Sequence, residues 1–412
     1  MGALAIECKT SGNNCFAGQC DTVGGTEICM RCQTGRVPIN GVCAEAANND
    51  KCKDTNGSTD ADQTCKKCLL ETFMYKGGCY EIANSPGSII CSQKGAAGVC
   101  QTCNAANGYF TNPEAANNVD SCISCDDTTG VKVGSGDSAK TYKGVDGCKT
   151  CTISDSATTA TCTECATGFL HTPSEGATSC VETCPEGYFG HTDSNTKKTC
   201  QSCSTGASSL TPAVAGIADC TKCEHTTKLV CTKCGQDKYL KIDGETISCV
   251  DAQGCGIGFF MITVDGVRKC IKCGDSTNSG IADCAECTAP GEGKTKLACT
   301  KCTGKYLKTA ADGTTTCVEQ NECTSDSFPV ENTSTGNKCV SCGDAQGAAD
   351  TAGGIWKGVT GCAKCTKPAT ANSPATCSEC ASGFNLEGET CVSSGANRST
   401  LSTGAIAGYR WP

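Results

Sequence analysis

Cys231-Thr-Lys-Cys234-Gly-Gln-Asp-Lys-Tyr239-Leu-Lys-Ile-Asp243-Gly244-Glu-Thr-Ile-Ser-Cys249 holds, in order, a Cys-x-x-Cys pair, an aromatic residue, an Asp-Gly dipeptide and a single cysteine. Asp-Gly between short flanks is a strong hairpin signal, because glycine accepts the positive φ that a tight turn needs. The same succession recurs: Phe169 with Glu175-Gly176 before Cys180, Tyr306 with Asp312-Gly313 before Cys317, and Phe384 with Glu387-Gly388 before Cys391. Upstream, Asn40-Gly41 precedes Cys43 and Gly77-Gly78 precedes Cys79. Six small β-hairpins are expected.

Cysteine parity supports closing each hairpin with its own disulfide: Cys32–Cys43, Cys68–Cys79, Cys165–Cys180, Cys234–Cys249, Cys302–Cys317 and Cys380–Cys391. The cysteines left before and between these pairs then number four, two, eight, six, six and six. Every interval is even, so each stretch can pair locally, although spacing alone leaves the remaining partners open. Cys391 has no cysteine after it and must reach back. Cys103 to Cys122, enclosing Tyr109-Phe110, can form a seventh hairpin without breaking parity. The first six cysteines (Cys8, Cys15, Cys20, Cys29, Cys32, Cys43) are spaced much like an epidermal-growth-factor module, with two residues rather than one between Cys29 and Cys32. That resemblance implies Cys8–Cys20, Cys15–Cys29 and Cys32–Cys43.

The chain has 412 residues, 44 of them cysteine, and thirty of these form fifteen Cys-x-x-Cys pairs. Such density exceeds the roughly 8–10% that marks a disulfide scaffold and calls for an oxidising compartment. Leu, Ile, Val and Phe supply only about one residue in seven, below the roughly 20% expected of a chain with a conventional core. Many small modules held by covalent bonds are therefore expected, with disulfides replacing the missing core. Eight cysteines repeat from Cys162/Cys165, again from Cys231/Cys234 and again from Cys299/Cys302, with a partial unit from Cys377/Cys380. The expected organisation is an EGF-like module over 1–50, irregular cysteine-rich modules over 51–161, and repeats over 162–230, 231–298 and 299–376. A half repeat over 377–396 and a juxtamembrane segment with a non-native tail over 397–412 complete it. The fold class is small and disulfide-rich: an elongated tandem array of short β-hairpin modules, EGF-like or furin-like, with little helix and no single core.

Function classes can be narrowed. The net charge is −9 and the basic residues are dispersed, which argues against a nucleic-acid partner. Redox catalysis by Cys-x-x-Cys needs a lowered thiol pKa at a helix N-terminus, and no strand–helix alternation is visible. Only three histidines, His171, His191 and His225, are available as general bases, and no nucleophile elbow accompanies them, so no enzyme is expected. Cys220, Cys223, His225, Cys231 and Cys234 lie close enough in sequence to be zinc ligands, but only as thiolates. No cofactor is expected beyond that zinc alternative. Asn56-Gly-Ser58, Asn332-Thr-Ser334 and Asn397-Arg-Ser399 are glycosylation sequons.

Three features resemble the Giardia variant-specific surface proteins. Dense Cys-x-x-Cys repeats, often with Thr-Lys or Thr-Glu inside, cover the whole chain. Gly77-Gly78-Cys79-Tyr80 matches the family's Gly-Gly-Cys-Tyr motif. Asn397-Arg-Ser-Thr-Leu-Ser-Thr-Gly-Ala-Ile-Ala-Gly408 is similar to the stretch that leads into the family's C-terminal transmembrane helix. Tyr409-Arg-Trp-Pro412 stands where that span would begin, and Ala3-Leu4-Ala5 has the small-x-small form of a signal cleavage site. The resemblance implies the ectodomain of a single-pass surface protein, without its membrane helix. It also implies a protease-resistant coat that serves antigenic variation and immune evasion, with host antibodies, neighbouring coat molecules and, through the missing helix, the membrane as partners. A cysteine-rich receptor or adhesion ectodomain binding a host protein is the alternative.

Overall fold

A computed structural model describes Cys8, residues 14–289 and residues 297–394. The readings made from Ala3-Leu4-Ala5 and from the segment after residue 396 lie outside the described residues. Within them the chain is short strands and turns, with one four-residue helix, Gly87–Ile90, and five 3-10 turns of three residues. No described helix is long and apolar enough to cross a membrane. Among the described residues, strands pair into twelve two-stranded and four four-stranded sheets. The helix-poor, disulfide-rich tandem of hairpins expected from the sequence is what forms.

All six expected hairpins are present. Their turn chemistry differs in detail. Asn40-Gly41 has φ of 49° and 76°, the doubly left-handed pair of a type I′ turn. In the Tyr239–Asp243/Thr246–Val250 hairpin, by contrast, Asp243 pairs with Thr246, so the central residues are Gly244-Glu245. Glycine then stands first, with φ 61°, the arrangement of a type II′ turn. A further hairpin, Phe259–Val264/Val267–Lys272, turns on Asp265-Gly266. That dipeptide carries the same sequence signal.

The four-stranded sheets share one plan: a hairpin is joined to a second through a short parallel contact. Arg36–Ile39 and Val42–Glu45 join Thr72–Tyr75 and Gly78–Glu81 through Ile39 beside Cys79. Phe169–His171 and Ser179–Val181 join Tyr188–Thr192 and Lys198–Ser202 through Leu170 beside Thr199. The pair Leu240–Lys269 does the same for residues 239–272, and Leu307–Lys338 for residues 306–341. The first of these sheets runs across the division drawn at residue 50. A hairpin buries too little alone, and the parallel contact lets two share one apolar face.

The chain divides into two compact units: residues 1–217 with 221–230, and residues 218–220 with 231–412. Each contains two of the four-stranded sheets. Buried side chains fall into separate small clusters. In the first unit Val23, Ile28, Phe73, Tyr75, Tyr80 and Ile90 form one, and Phe110, Ile123, Tyr142 and Leu170 belong to another. In the second, Phe328, Val330 and Val340 pack with Ala375 and Trp356. Cysteines fill much of the remaining interior, as expected for a chain with so few large aliphatic residues.

Candidate functional site

The functional chemistry of this chain lies in its cysteines. All 44 are paired, in 22 disulfides, and none is free. The structure joins Cys8–Cys20, Cys15–Cys29, Cys32–Cys43, Cys68–Cys79, Cys165–Cys180, Cys234–Cys249, Cys302–Cys317 and Cys380–Cys391, and it also joins Cys103–Cys122.

None of the Cys-x-x-Cys pairs closes on itself, and the two sulfurs of each pair always go to different partners. At most pairs the first cysteine bonds backward and the second forward, as in Cys15–Cys29 and Cys32–Cys43. Four pairs are crossed instead. Cys148 bonds forward to Cys162 while Cys151 bonds back to Cys125. The same crossing occurs at Cys220/Cys223, Cys284/Cys287 and Cys362/Cys365. Its geometry is clearest where Cys148–Thr152 pairs with Thr161–Cys165. Cys148 lies opposite Cys165 and Cys151 opposite Cys162, but register shifts around Thr150 offset the ladder, and the bond formed is the diagonal Cys148–Cys162. The loops closed by the backward bonds differ in length, with sequence separations of 26, 20, 14 and 23. Those of the diagonal bonds are 14, 11, 15 and 15.

The zinc candidates fail a test of chemistry. Cys223 is bonded to Cys203, Cys220 to Cys231 and Cys234 to Cys249, so none carries a thiolate. His225 instead lies against the Phe189 ring, with centroids 5.1 Å apart. Cys231, Cys234 and Cys249 bring their sulfurs within 4.8 Å of one another, but two of these sulfurs are already joined in the Cys234–Cys249 disulfide.

Gly77-Gly78-Cys79-Tyr80 contributes to two buried clusters of the first unit, Tyr80 to one and Cys79 to the other. Gly77 has φ 77° and completes the turn after Lys76. Gly78 lets the strand pass close to Pro38: a Cβ here would meet the Pro38 side chain at 3.0 Å and its carbonyl at 3.1 Å. Cys79 ties the strand to Cys68. Tyr80 is wholly buried, with its ring 6.1 Å from Phe73 and edge-on to Tyr75 at 5.7 Å. Tyr75 in turn meets Tyr109 at 6.0 Å. The motif is thus the aromatic hub that joins several disulfide loops.

Charged groups around this hub were not singled out in the sequence. Lys76 Nζ lies 2.6 Å from Asp21 and 3.7 Å from Asp127, and the Lys76 N–H donates to Asp120 at 2.9 Å. Burial pushes the Asp120 carboxyl up to about 6. Glu81, immediately after the motif, accepts from Lys51 Nζ at 2.6 Å, Asn84 Nδ2 at 2.6 Å and Asn40 Nδ2 at 2.7 Å. Lys51 is the largest influence, and together these donors hold the Glu81 carboxyl down at about 2. The signal that points to Glu81 is its adjacency to Tyr80.

A depressed carboxylate stabilises the fold above its unfolded pKa and loses that contribution as pH falls through the folded value. Glu81→Gln should therefore cost about 1 kcal/mol near neutrality, allowing for solvent screening of a partly exposed pair. It should also flatten the stability loss between about pH 4.5 and 2. Denaturant melts of both proteins across that range check the expectation. Asp120 has the opposite sign: its ionisation lowers stability as pH rises toward 6.

The family model described as Giardia variant-specific surface protein matches residues 2–225, just over half of the chain. Over 388 residues the chain is 30% identical to the major surface-labeled trophozoite antigen 417 of Giardia intestinalis, a match covering 92% of this chain and 42% of that protein. With variant-specific surface protein VSP4A1 of the same organism, identity is 31% over 416 residues, covering 96% of this chain and 51% of that one. Surface antigen CRP170, also of Giardia intestinalis, is 28% identical over 194 residues, covering 42% of this chain and 51% of that protein. The chain spans about half the length of the curated relatives it matches.

Proposed function

We propose that this chain, which belongs to the Giardia variant-specific surface protein family, is the exposed part of a parasite surface coat and acts as an antigen rather than an enzyme. The observation that carries the reading is the splitting of every Cys-x-x-Cys between two disulfides. With all thiols consumed, no redox or thiolate chemistry is left for the cysteines. What they supply is mechanical: almost every stretch of chain lies inside a short covalent loop. Proteolysis needs locally unfolded segments, and such loops limit how far a segment can open.

The loops supported by this framework are polar and exposed, as around Gly134–Ala139 and Gly343–Gln346. Loops of this kind tolerate sequence change better than the elements that hold them. Host antibodies would meet these loops, and neighbouring coat molecules would pack beside them. Change of the loops on a constant frame is the physical basis proposed for antigenic variation and immune evasion. The native location is the cell surface, with anchoring through a membrane helix as in the family.

Antibodies raised against the oxidised chain should stain intact, unpermeabilised Giardia cells that express it, and reduction of the antigen should abolish most of that binding. Staining only after permeabilisation would overturn the reading.

A further inference from the structure

The geometry points to Asn56 as an N-glycosylation site of this chain, and to Asn332 as a sequon that the folded protein keeps unmodified. The two triplets are equivalent in sequence, and the fold gives them opposite surroundings. Asn397, the third, lies outside the described residues.

Asn56-Gly57-Ser58 forms the tip of the loop closed by Cys52–Cys65, and both Asn56 and Ser58 are exposed. The Asn56 carbonyl oxygen Oδ1 accepts the N–H groups of Ser58 at 2.9 Å and Thr59 at 3.0 Å. Thr59 Oγ1 also donates to it, at 3.0 Å. All these contacts use the oxygen. The amide nitrogen Nδ2, which is the atom that glycosylation modifies, donates to no acceptor among the described residues. Gly57, with φ 73°, lets the turn close without a side chain beside the amide.

Asn332 is only 8% exposed. Its Oδ1 accepts from the N–H groups of Ser334 at 3.0 Å and Thr335 at 2.9 Å. Its Nδ2 donates to the carbonyls of Ala349 at 2.9 Å and Asp350 at 3.1 Å. These two bonds hold the small Ala348–Ala349/Ile355–Trp356 hairpin, whose Trp356 packs with Phe328 and Val330.

In N-glycosylation, Nδ2 forms a bond to the anomeric carbon of a polyisoprenyl-diphosphate-linked oligosaccharide. The bond from that carbon to the diphosphate oxygen breaks, the lipid diphosphate leaves with the electron pair, and one amide proton passes to a base. No oxidant or reductant is needed. At Asn56 the product keeps every hydrogen bond described. At Asn332 it removes one of the two N–H groups and places a sugar where the hairpin lies. A buried carbonyl left without its donor costs roughly 1–3 kcal/mol, before any steric displacement. A glycan at Asn332 and closure of this part of the fold therefore exclude one another.

The test uses the full chain secreted from eukaryotic cells and shown to be free of alkylatable thiols. Treatment with a peptide-N-glycosidase in 18O-water converts a glycosylated asparagine to labelled aspartate, and peptide mapping locates it. The label is expected at Asn56 and not at Asn332. Ser58→Ala, which keeps Asn56 and its turn, should lower the mass by one glycan. Ser334→Ala should leave the glycan mass unchanged. Labelled aspartate at position 332 in the oxidised protein, or none at position 56, would overturn the assignment.

Discussion

Trypsin added to the unreduced protein is expected to nick it repeatedly while leaving almost all of its mass in one covalent piece. The reason is the position of its lysines and arginines relative to the disulfides. Between Cys8 and Cys391, only Arg31, Lys51, Lys66, Lys67, Lys233, Lys272 and Lys301 precede a peptide bond that no disulfide loop spans. A cut at any other of these residues leaves its two ends joined. Most of the seven are themselves protected. Lys233, Lys272 and Lys301 occupy strands Leu229–Cys234, Val267–Lys272 and Ala298–Cys302, and Lys67 lies in Lys67–Cys68. Hydrogen-bonded strands must open before a protease can bind them. Arg31 is held by Gln63 at 2.6 Å and stacks over Phe16. Lys51 lies in a connecting stretch that no disulfide spans, and a cut there would detach the N-terminal module. A non-reducing gel should show one band close to the starting mass, and a reducing gel of the same sample a ladder of fragments. Release of many small fragments without reductant would contradict the disulfide arrangement and the coat reading together.

Tyr80 should be the most sensitive side chain in the first unit. Tyr80→Ala removes a fully buried ring from contact with Phe73 and Tyr75 and should cost about 3–5 kcal/mol. The surrounding loops are covalently closed and cannot collapse into the space. Tyr80→Phe should behave differently. The Tyr80 hydroxyl is buried with no hydrogen-bond partner among the described residues, so deleting it removes an unsatisfied polar atom and leaves the packing intact. Denaturant midpoints should fall sharply for alanine and hold or rise for phenylalanine. Comparable losses in both would mean that the hydroxyl has an essential partner.

The sequence made the hairpins legible because their determinants are local. An x-Gly turn, an aromatic residue and a cysteine at each end fix Cys234–Cys249 and its counterparts within some twenty residues. Even the low helix content followed, since no strand–helix alternation is visible. The crossed pairs were not legible. Cys148, Cys151, Cys162 and Cys165 satisfy parity in several ways, and the choice of Cys148–Cys162 depends on a register shift that no residue type announces. The parallel contacts, such as Ile39 beside Cys79, were hidden for a similar reason: they join residues far apart in sequence. Asp265-Gly266 carries the hairpin signal too, but its cysteine, Cys270, belongs to a Cys-x-x-Cys pair and breaks the recurring pattern. Glu81, Lys76 and Asn332 acquire their importance only from neighbours brought together by the fold.

The crossed junctions also show where this chain has room for grafted residues. The loops ending at Cys151, Cys223, Cys287 and Cys365 range from 14 to 26 in sequence separation, while the diagonal bonds beside them stay between 11 and 15. Closing a longer loop adds only about 0.6 kcal/mol for each doubling of its length. The shortest, Cys273–Cys287, holds the 3-10 turn Ser276–Asn278 ahead of the strand that starts at Cys284. A dozen grafted residues there would make it no longer than its longest sibling, with both ends clamped by sulfur. A peptide grafted there would be displayed in a constrained loop and would stay attached after a single cut within it.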